Sequence, residues 1–460
     1  MNKKAIAFYV LLILVLLVGG LSSSLVQVMP AGIGKEGLIA VSLLLYAVIG
    51  WCFQLAPMSV ISLSLLILIP LTGLMDFSTA VKTSFGDSTF VFFLGVLILG
   101  NAFKRTPLGK RIAIILFNTF GTKPRQVLFG IMLAGTLLAM WVTEVASAAI
   151  IFPLAMAIIE QAATRPDHKK LALIMMIGVA WGPAFGGVAT PIATGANLIA
   201  VSYLEQYAGV SISFGRWMLM GIPISITLLL AGWFLLSREI DNSMTLQIDN
   251  NLPPMSGKEK FLLGDFLMAI VLWIYGSYIG IPSHMVALFA GLILFFPGVN
   301  VLNWKETVKD INWDSIILIC SGLLLGQVLF STGVAESIAK CLFVSSVLKM
   351  NVFVRVLYIV LMVSILKIMF SSNTVAGILL VPIMITLATA LEMDAWTLVA
   401  PCIFSSALAF IIVTSSPVNV IPFSSGAFTP GDLAKRGVVM TVISAVIIAI
   451  WLSIFSFVGL

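Results

Sequence analysis

Charged side chains are scarce in this sequence of 460 residues. Asp, Glu, Lys and Arg make up only 10% of it, 60% is hydrophobic, and the mean hydropathy is +1.14. A soluble domain carries about 25% charged residues, so this chain has too little polar surface to cover a water-facing globule. The shortage excludes a soluble enzyme, a nucleic-acid-binding protein and a disordered scaffold. It predicts an all-α polytopic membrane protein.

Cysteine and histidine are also rare. The four cysteines show no CxxC spacing, and the two histidines, His168 and His284, stand apart, so the pattern predicts buried thiols and no metal site. An intramembrane enzyme would need a nucleophile with its base, or a metal set, within the membrane, and the sequence holds no HExxH motif. We therefore expect neither an enzyme nor a cofactor.

Long apolar runs fill the chain. A helix needs about 20 apolar residues to span a bilayer, and nine segments are candidate spans: 5–26, 37–54, 57–75, 88–103, 215–237, 260–279, 284–300, 313–330 and 434–458. Four longer apolar stretches are interrupted by Gly, Pro or small polar residues: 126–162, 170–207, 351–391 and 394–425. We call the first two of these the first repeat and the last two the second repeat.

The basic residues predict how these segments are threaded. Both flanks of 126–162 are rich in Lys and Arg, which favour the cytoplasmic side, so this segment is predicted to be a re-entrant hairpin with its tip at Thr143-Glu144-Val145. These basic residues are Lys104, Arg105, Lys110, Arg111, Lys123, Arg125, Arg165, Lys169 and Lys170. With 351–391 as a second hairpin from outside, we predict 11 crossings, a cytoplasmic N-terminus and an external C-terminus. Eighteen Lys and Arg then face inward and five outward.

The two repeats match each other in sequence. Thr143 and Pro153 correspond to Ser372 and Pro382 with an offset of 229, and Asn197 corresponds to Asn419. The first unit starts outside and the second inside, so the repeats are predicted to be inverted in the membrane. Inverted repeats with broken helices near the midplane are the architecture of secondary transporters.

The interruptions predict one polar site at the repeat interface, because non-helical backbone in lipid must line a cavity or contact protein. Hydroxyl and amide groups at 372–374 could bind an anion or a cation. Helix N-termini beyond the tips favour anions, and the carbonyls of unwound backbone suit Na⁺. Gly and Pro crowd 182–195 and are predicted to stop the helix there. Polar residues in the two interrupted helices are Thr190, Thr194, Asn197, Ser416 and Asn419.

These motifs resemble the divalent anion/sodium symporter family, whose members transport dicarboxylates, citrate or sulfate. The resemblance runs from about Asp87 to the C-terminus. It implies a homodimer with scaffold and transport domains, an elevator-type motion, substrate between the two hairpin tips, and Na⁺ between each tip and the neighbouring break. The residues that it assigns to the site are Ser372, Asn373, Thr374 and Asn419 in the second repeat, and Thr194 and Asn197 in the first.

The resemblance also implies a domain division. Residues 1–85, 214–312 and 431–460 are expected to form the scaffold, with a cytoplasmic connector at 238–259. Residues 86–213 and 313–430 are expected to form the two halves of the transport domain, each with one hairpin.

The first hairpin departs from the family, because Glu144 and Val145 stand where Asn and Thr are expected, and Gly195-Ala196 replaces two prolines. An ionised carboxylate at the bilayer centre costs several kcal/mol and would repel a bound dianion. Three explanations stay open: Glu144 is protonated and couples transport to protons, it helps to hold a cation at the first Na⁺ site, or it pairs with Lys367. Lys367 itself could serve as a tethered cation or snorkel to the outer surface.

We therefore expect a secondary active transporter in the cytoplasmic membrane that moves a small anion, with a di- or tricarboxylate as the expected substrate, coupled to Na⁺ or H⁺. Alternatives are a Na⁺-independent exchanger, an H⁺-coupled carrier or an anion channel. The expected substrate-binding residues are Thr143, Asn197, Ser372, Asn373, Thr374 and Asn419. The expected ion-coupling residues are Glu144, Thr194, Ser416 and Lys367.

Overall fold

Helices make up the regular structure. The computed structural model describes residues 3–25, 34–162, 167–242, 245–246 and 253–459, so Arg165 and the middle of the predicted connector lie outside the described residues. Within them the helices are α1 (Lys3–Leu25), α2 (Lys35–Phe53), α3 (Met58–Leu71), α4 (Phe77–Ser84), α5 (Ser88–Arg105), α6 (Leu108–Phe120), α7 (Pro124–Ala139), α8 (Glu144–Glu160), α9 (His168–Gly186), α10 (Gly195–Ala208), α11 (Phe214–Ser237), α12 (Gly257–Tyr275), α13 (Ser283–Ile293), α14 (Trp304–Asp310), α15 (Trp313–Ser331), α16 (Val334–Leu342), α17 (Ser345–Leu348), α18 (Val352–Lys367), α19 (Asn373–Ala390), α20 (Trp396–Ser406), α21 (Pro417–Phe423) and α22 (Pro430–Phe457). Short 3₁₀ turns lie at Gly276–Ile279 and Val413–Ser415.

Seven of the described helices are long and apolar enough to cross a membrane: α1, α2, α5, α11, α15, α19 and α22. The predicted all-α polytopic class is therefore confirmed, while the count of 11 crossings, the re-entrant hairpins and the orientation of the termini stay predictions. The predicted span 284–300 is too long. Helix α13 ends at Ile293, because Pro297 cannot continue a helix and Gly298 takes a left-handed backbone with φ of +89°.

Each predicted hairpin consists of two helices separated by a short non-helical turn. In the first repeat, 140–143 separates α7 from α8, and in the second, 368–372 separates α18 from α19. The hydroxyl of Thr143 accepts a hydrogen bond from the backbone N–H of Ala146 at 3.4 Å and so caps α8. Each predicted tip is therefore followed directly by a helix N-terminus, that of α8 in the first hairpin and that of α19 in the second.

The interruption predicted within 182–195 is present, but it begins only at Gly187, because α9 continues past Gly182 and Pro183 to Gly186. Contacts from α7 hold it: the hydroxyl of Thr136 donates to the carbonyl of Gly182 at 2.8 Å. A Cβ on Gly135 would stand 2.8 Å from the Cδ of Pro183. The glycines therefore serve close packing of α7 against α9, and the unwound stretch is 187–194. Its counterpart in the second repeat is 407–416.

Helix α5 packs most closely against α13. A Cβ on Gly95 would stand 2.4 Å from the carbonyl carbon of Ala287, so only glycine allows this approach. Helix α15 packs extensively against α3, and α22 packs against α11 and α18. The predicted domain boundaries assign α5 and α13 to different domains, and likewise α18 and α22, although the two helices of each pair pack closely together.

Candidate functional site

The N-termini of three helices, α8, α10 and α19, meet at one cavity of about 390 Å³. The predicted site residues on its wall are Thr143, Glu144, Thr194, Ser372, Asn373 and Thr374. The first and second repeats both contribute, so the cavity lies between them as predicted from the interruptions. The residue types are hydroxyls, an amide and one carboxylate.

The local sequence explains why these helices begin at the cavity. Thr143 is the N-cap of α8, and the hydroxyl of Thr194 accepts from the backbone N–H of Asn197 at 3.3 Å to cap α10. Ser372 is the N-cap of α19 but makes no capping hydrogen bond with its side chain. Helix N-termini carry partial positive charge and unpaired N–H donors. Three of them at one cavity make a binding place for an anion.

Glu144 and Lys367 are joined through the side chain of Asn373. The amide nitrogen of Asn373 donates to the carboxylate of Glu144, and the ammonium of Lys367 donates to the amide oxygen of Asn373 and to the carbonyl of Ser406. All three residues are buried, with exposed fractions of 6% for Glu144, 4% for Asn373 and 2% for Lys367. Lys367 therefore does not snorkel to the surface, and its positive charge lies near the carboxylate.

Asn197 and Asn419 lie off the cavity wall and hold the two breaks. The amide nitrogen of Asn197 donates to the carbonyls of Gly187 at 2.8 Å and Thr190 at 2.9 Å. That of Asn419 donates to the carbonyls of Ala409 at 2.6 Å and Ile412 at 3.2 Å. In both cases the acceptors precede the asparagine by ten and seven residues, so the two breaks share one construction.

Two more predicted site residues are off the wall. Ser416 accepts from the backbone N–H of Val418 at 3.4 Å and caps α21, and Lys367 lies behind Asn373. Four of the predicted residues therefore do not line the cavity: Asn197, Asn419, Ser416 and Lys367. The assignments of all ten residues to substrate or ion stay predictions.

Gly187 in the first repeat lies beside Glu144 and Asn197, which both carry side-chain oxygens. Oε2 of Glu144 and Oδ1 of Asn197 are buried and have no hydrogen-bond donor among the described residues. A Cβ on Gly187 would stand 3.1 Å from Oε2 of Glu144 and 3.1 Å from the carbonyl oxygen of Ala184. The amide nitrogen of Asn197 is bonded to the Gly187 carbonyl, which places that residue here too. A group of oxygens including a carboxylate suits a hard cation such as Na⁺.

Sequence reasoning missed one end of the cavity. Its wall there includes Asn101, Lys104, Asp310, Asn312 and Ser315. Asn101 could have been noticed, because an amide interrupts the apolar run of α5. The charges of Lys104 and Asp310 are typical of helix ends and indicate topology, so nothing local marks them as part of a site.

A second cavity has a volume of about 840 Å³. It is lined by the end of α2 around Gln54, by the turn at 368–371, and by α21. Val145 and Pro417 line both cavities. These two residues thus stand between the two spaces.

Comparisons with known proteins cover nearly the whole chain. The model of a family described as the sodium:sulfate symporter transmembrane region matches residues 4–458. The sodium-dependent dicarboxylate transporter SdcS of Staphylococcus saprophyticus is 27% identical over 456 residues, covering 92% of this chain and 86% of that protein. The SdcS of Staphylococcus aureus (strain bovine RF122 / ET3-1) is 26% identical over 453 residues, covering 91% and 86%.

Solved structures share the fold. The YdaH transporter of Alcanivorax borkumensis matches with a TM-score of 0.62 at 14% identity, covering 88% of this chain and 99% of that one. MtrF of Neisseria gonorrhoeae, described with a class of antimetabolite efflux pumps, matches with a TM-score of 0.53 at 14% identity, covering 100% and 96%. At this identity the likeness concerns the helical architecture alone.

Proposed function

Since this chain belongs to the sodium:sulfate symporter family, and is thus a multi-pass membrane transporter and not an enzyme, we propose that it carries a small dicarboxylate across the cytoplasmic membrane together with Na⁺. The relatives named sodium-dependent dicarboxylate transporters support both the substrate class and the ion. The proposal adds a place for each of them and a route of movement.

The observation that carries the proposal is the meeting of three helix N-termini at one cavity. A dicarboxylate has two anionic ends, and two of the N-termini, those of α8 and α19, belong to opposite repeats. We place one carboxylate at Ser372 to Thr374 and the other at Thr143, where backbone N–H groups and hydroxyls donate. The ammonium of Lys367 brings positive charge to the second tip through Asn373, while Lys104 and Asp310 put opposite charges on the wall.

The coupling ion would bind among the oxygens at Gly187. Glu144, Asn197 and the carbonyl of Ala184 would hold it, and Thr194 lies beside them, since its Cγ2 would be 3.3 Å from a Cβ on Gly187. A bound Na⁺ neutralises the carboxylate at the start of α8 and fixes the tip, so it raises the affinity for an anion at that tip. The same coupling makes the anion raise the affinity for Na⁺.

Movement would follow alternating access, with the tips passing between the two cavities. We propose that α7 to α11 and α18 to α22 move as one body against a frame containing α1 to α3, α5, α12, α13 and α15. This division differs from the expected boundaries, because it keeps α5 with α13 and α22 with α18. The elevator direction and the homodimer remain parts of the proposal.

Uptake of labelled succinate into proteoliposomes tests the function. The purified protein is given an inward Na⁺ gradient, an inward H⁺ gradient, or internal unlabelled succinate alone, with protein-free liposomes as the control. We expect accumulation above equilibrium with the Na⁺ gradient only. Uptake driven by H⁺ or by internal succinate alone would replace Na⁺ coupling by proton coupling or exchange. Flux that never exceeds equilibrium would indicate a channel.

A further inference from the structure

The two repeats carry different side chains at one pair of corresponding positions. Glu144 at the first tip corresponds to Asn373 at the second with an offset of 229. The carbonyl of Ala184 near the end of α9 corresponds to that of Ser406 at the end of α20, with the offset of 222 that also relates Asn197 to Asn419. Each repeat therefore sets a tip side chain beside a helix-end carbonyl.

In the first repeat one oxygen of the tip carboxylate lacks a hydrogen-bond donor among the described residues. Oε2 of Glu144 is buried without a donor, and both it and the carbonyl oxygen of Ala184 would stand 3.1 Å from a Cβ on Gly187. The residue that corresponds to Lys367 here is Leu138, which carries no charge. A cation at this point has to come from solution.

In the second repeat the equivalent oxygens are already paired with a cation. The ammonium of Lys367 donates to the amide oxygen of Asn373 and to the carbonyl of Ser406, and the residue is 2% exposed. Lysine is a compact point charge of +1 on a flexible stem, so it can present to these oxygens the same charge that Na⁺ would. Lys367 is absent from the cavity wall, with Asn373 lying between, so it is not placed to contact the substrate.

We propose that the ammonium of Lys367 is a built-in cation that takes the place of a second Na⁺ in the second repeat. The inference rests on the proposed function for its meaning in transport. A tethered cation returns with the empty carrier, whereas a Na⁺ ion is released with the substrate. Lys367 would therefore reduce by one the number of Na⁺ ions used per cycle, and it would keep the second tip charged at every Na⁺ concentration.

The test is the Na⁺ dependence of thermal stability for purified wild type, K367L and K367Q, with choline replacing Na⁺ at constant ionic strength. K367L copies Leu138, K367Q keeps a polar group, and K349L removes an exposed lysine as the matched control. Ligands that bind the folded state stabilise it in proportion to the logarithm of their concentration at saturation, with a slope set by the number bound. For both Lys367 variants we expect a steeper slope, equivalent to about one additional bound Na⁺ ion. K349L should have the slope of the wild type.

Two outcomes would overturn the inference. One is an unchanged slope in K367L and K367Q, with a loss of stability that Na⁺ does not restore, because Lys367 would then only balance Glu144. Another needs no variant: a wild-type slope of two or more ions would mean that Na⁺ binds besides the lysine. Because the assay reads ion binding in the absence of substrate, it stays informative even if wild-type proteoliposomes take up no succinate, which would count against the proposed function alone.

Discussion

The hydroxyl of Tyr203 in α10 occupies the space that a side chain at Gly326 in α15 would need. A Cβ on Gly326 would stand 2.1 Å from Oη and 2.4 Å from Cζ of Tyr203. The same hydroxyl donates to the carbonyl of Gly322. This contact ties the first repeat to α15, across the boundary at which we propose that movement occurs.

Replacing Gly326 by alanine should destabilise the protein. The ring of Tyr203 is fully buried and cannot swing away, so overpacking should cost about 1–3 kcal/mol in the free energy of unfolding. Thermal unfolding in detergent measures this. Gly264→Ala in α12, where a Cβ meets open space, is the matched control and should not lower the melting temperature. A Gly326→Ala protein as stable as the wild type would contradict the contact.

Removing the amide of either Asn197 or Asn419 should destabilise the breaks rather than only weaken substrate binding. Each alanine variant leaves one buried carbonyl, that of Gly187 or that of Ala409, without its donor, at a cost of about 1–3 kcal/mol. The carbonyls of Thr190 and Ile412 keep other donors. Because the two breaks share one construction, the two variants should lose similar amounts of stability. Thermal unfolding without substrate checks this. A loss of transport with unchanged stability would assign the asparagines to the ligand instead.

Glu144→Gln should weaken Na⁺ dependence while keeping the tip in place. Glutamine can still accept from Asn373 but carries no charge for a cation at Gly187. We expect the Na⁺ concentration for half-maximal succinate uptake to rise about tenfold, equivalent to about 1.4 kcal/mol. Glu160→Gln, an exposed position on the same helix, is the control. If Glu144→Gln leaves both the Na⁺ and the pH dependence of uptake unchanged, Glu144 has no part in coupling.

The ion pair between Glu239 and Arg436 should add a pH-dependent term to stability. Arg436 donates to the two carboxylate oxygens at 2.8 and 2.6 Å and holds the pKa of Glu239 below its usual value of 4.5. Because the pKa of Glu239 is lower in the folded than in the unfolded protein, the ion pair stabilises the fold at pH values above the unfolded-state pKa. This stabilisation is lost as the pH falls through the folded-state pKa. The stability difference between wild type and Glu239→Gln should therefore be largest near pH 7 and shrink below pH 4.5. A difference that stays constant down to low pH would contradict this.

Much of the fold follows from local sequence properties. The scarcity of charge and the apolar runs predicted a helical membrane protein, and most span boundaries lie within a few residues of the helices. Non-helical turns also lie where the tips were predicted, because Thr143 at an N-cap and the polar run at 372–374 are local signals that end one helix and begin another. The cavity wall then follows in part, since six of the ten predicted site residues lie on it.

Composition and helix-breaking residues act over a few neighbours, so the amino-acid sequence was enough to predict the membrane class, the paired repeats and the position of the interruptions. The role of each polar group depends instead on contacts between helices. Asn373 meets Glu144 across 229 positions, α9 passes Pro183 because Thr136 of another helix supports it, and the amide of Asn197 points to its own backbone. The burial of Lys367 depends likewise on Ser406, 39 residues away. Such contacts depend on how helices pack against each other, and no spacing within one helix encodes that.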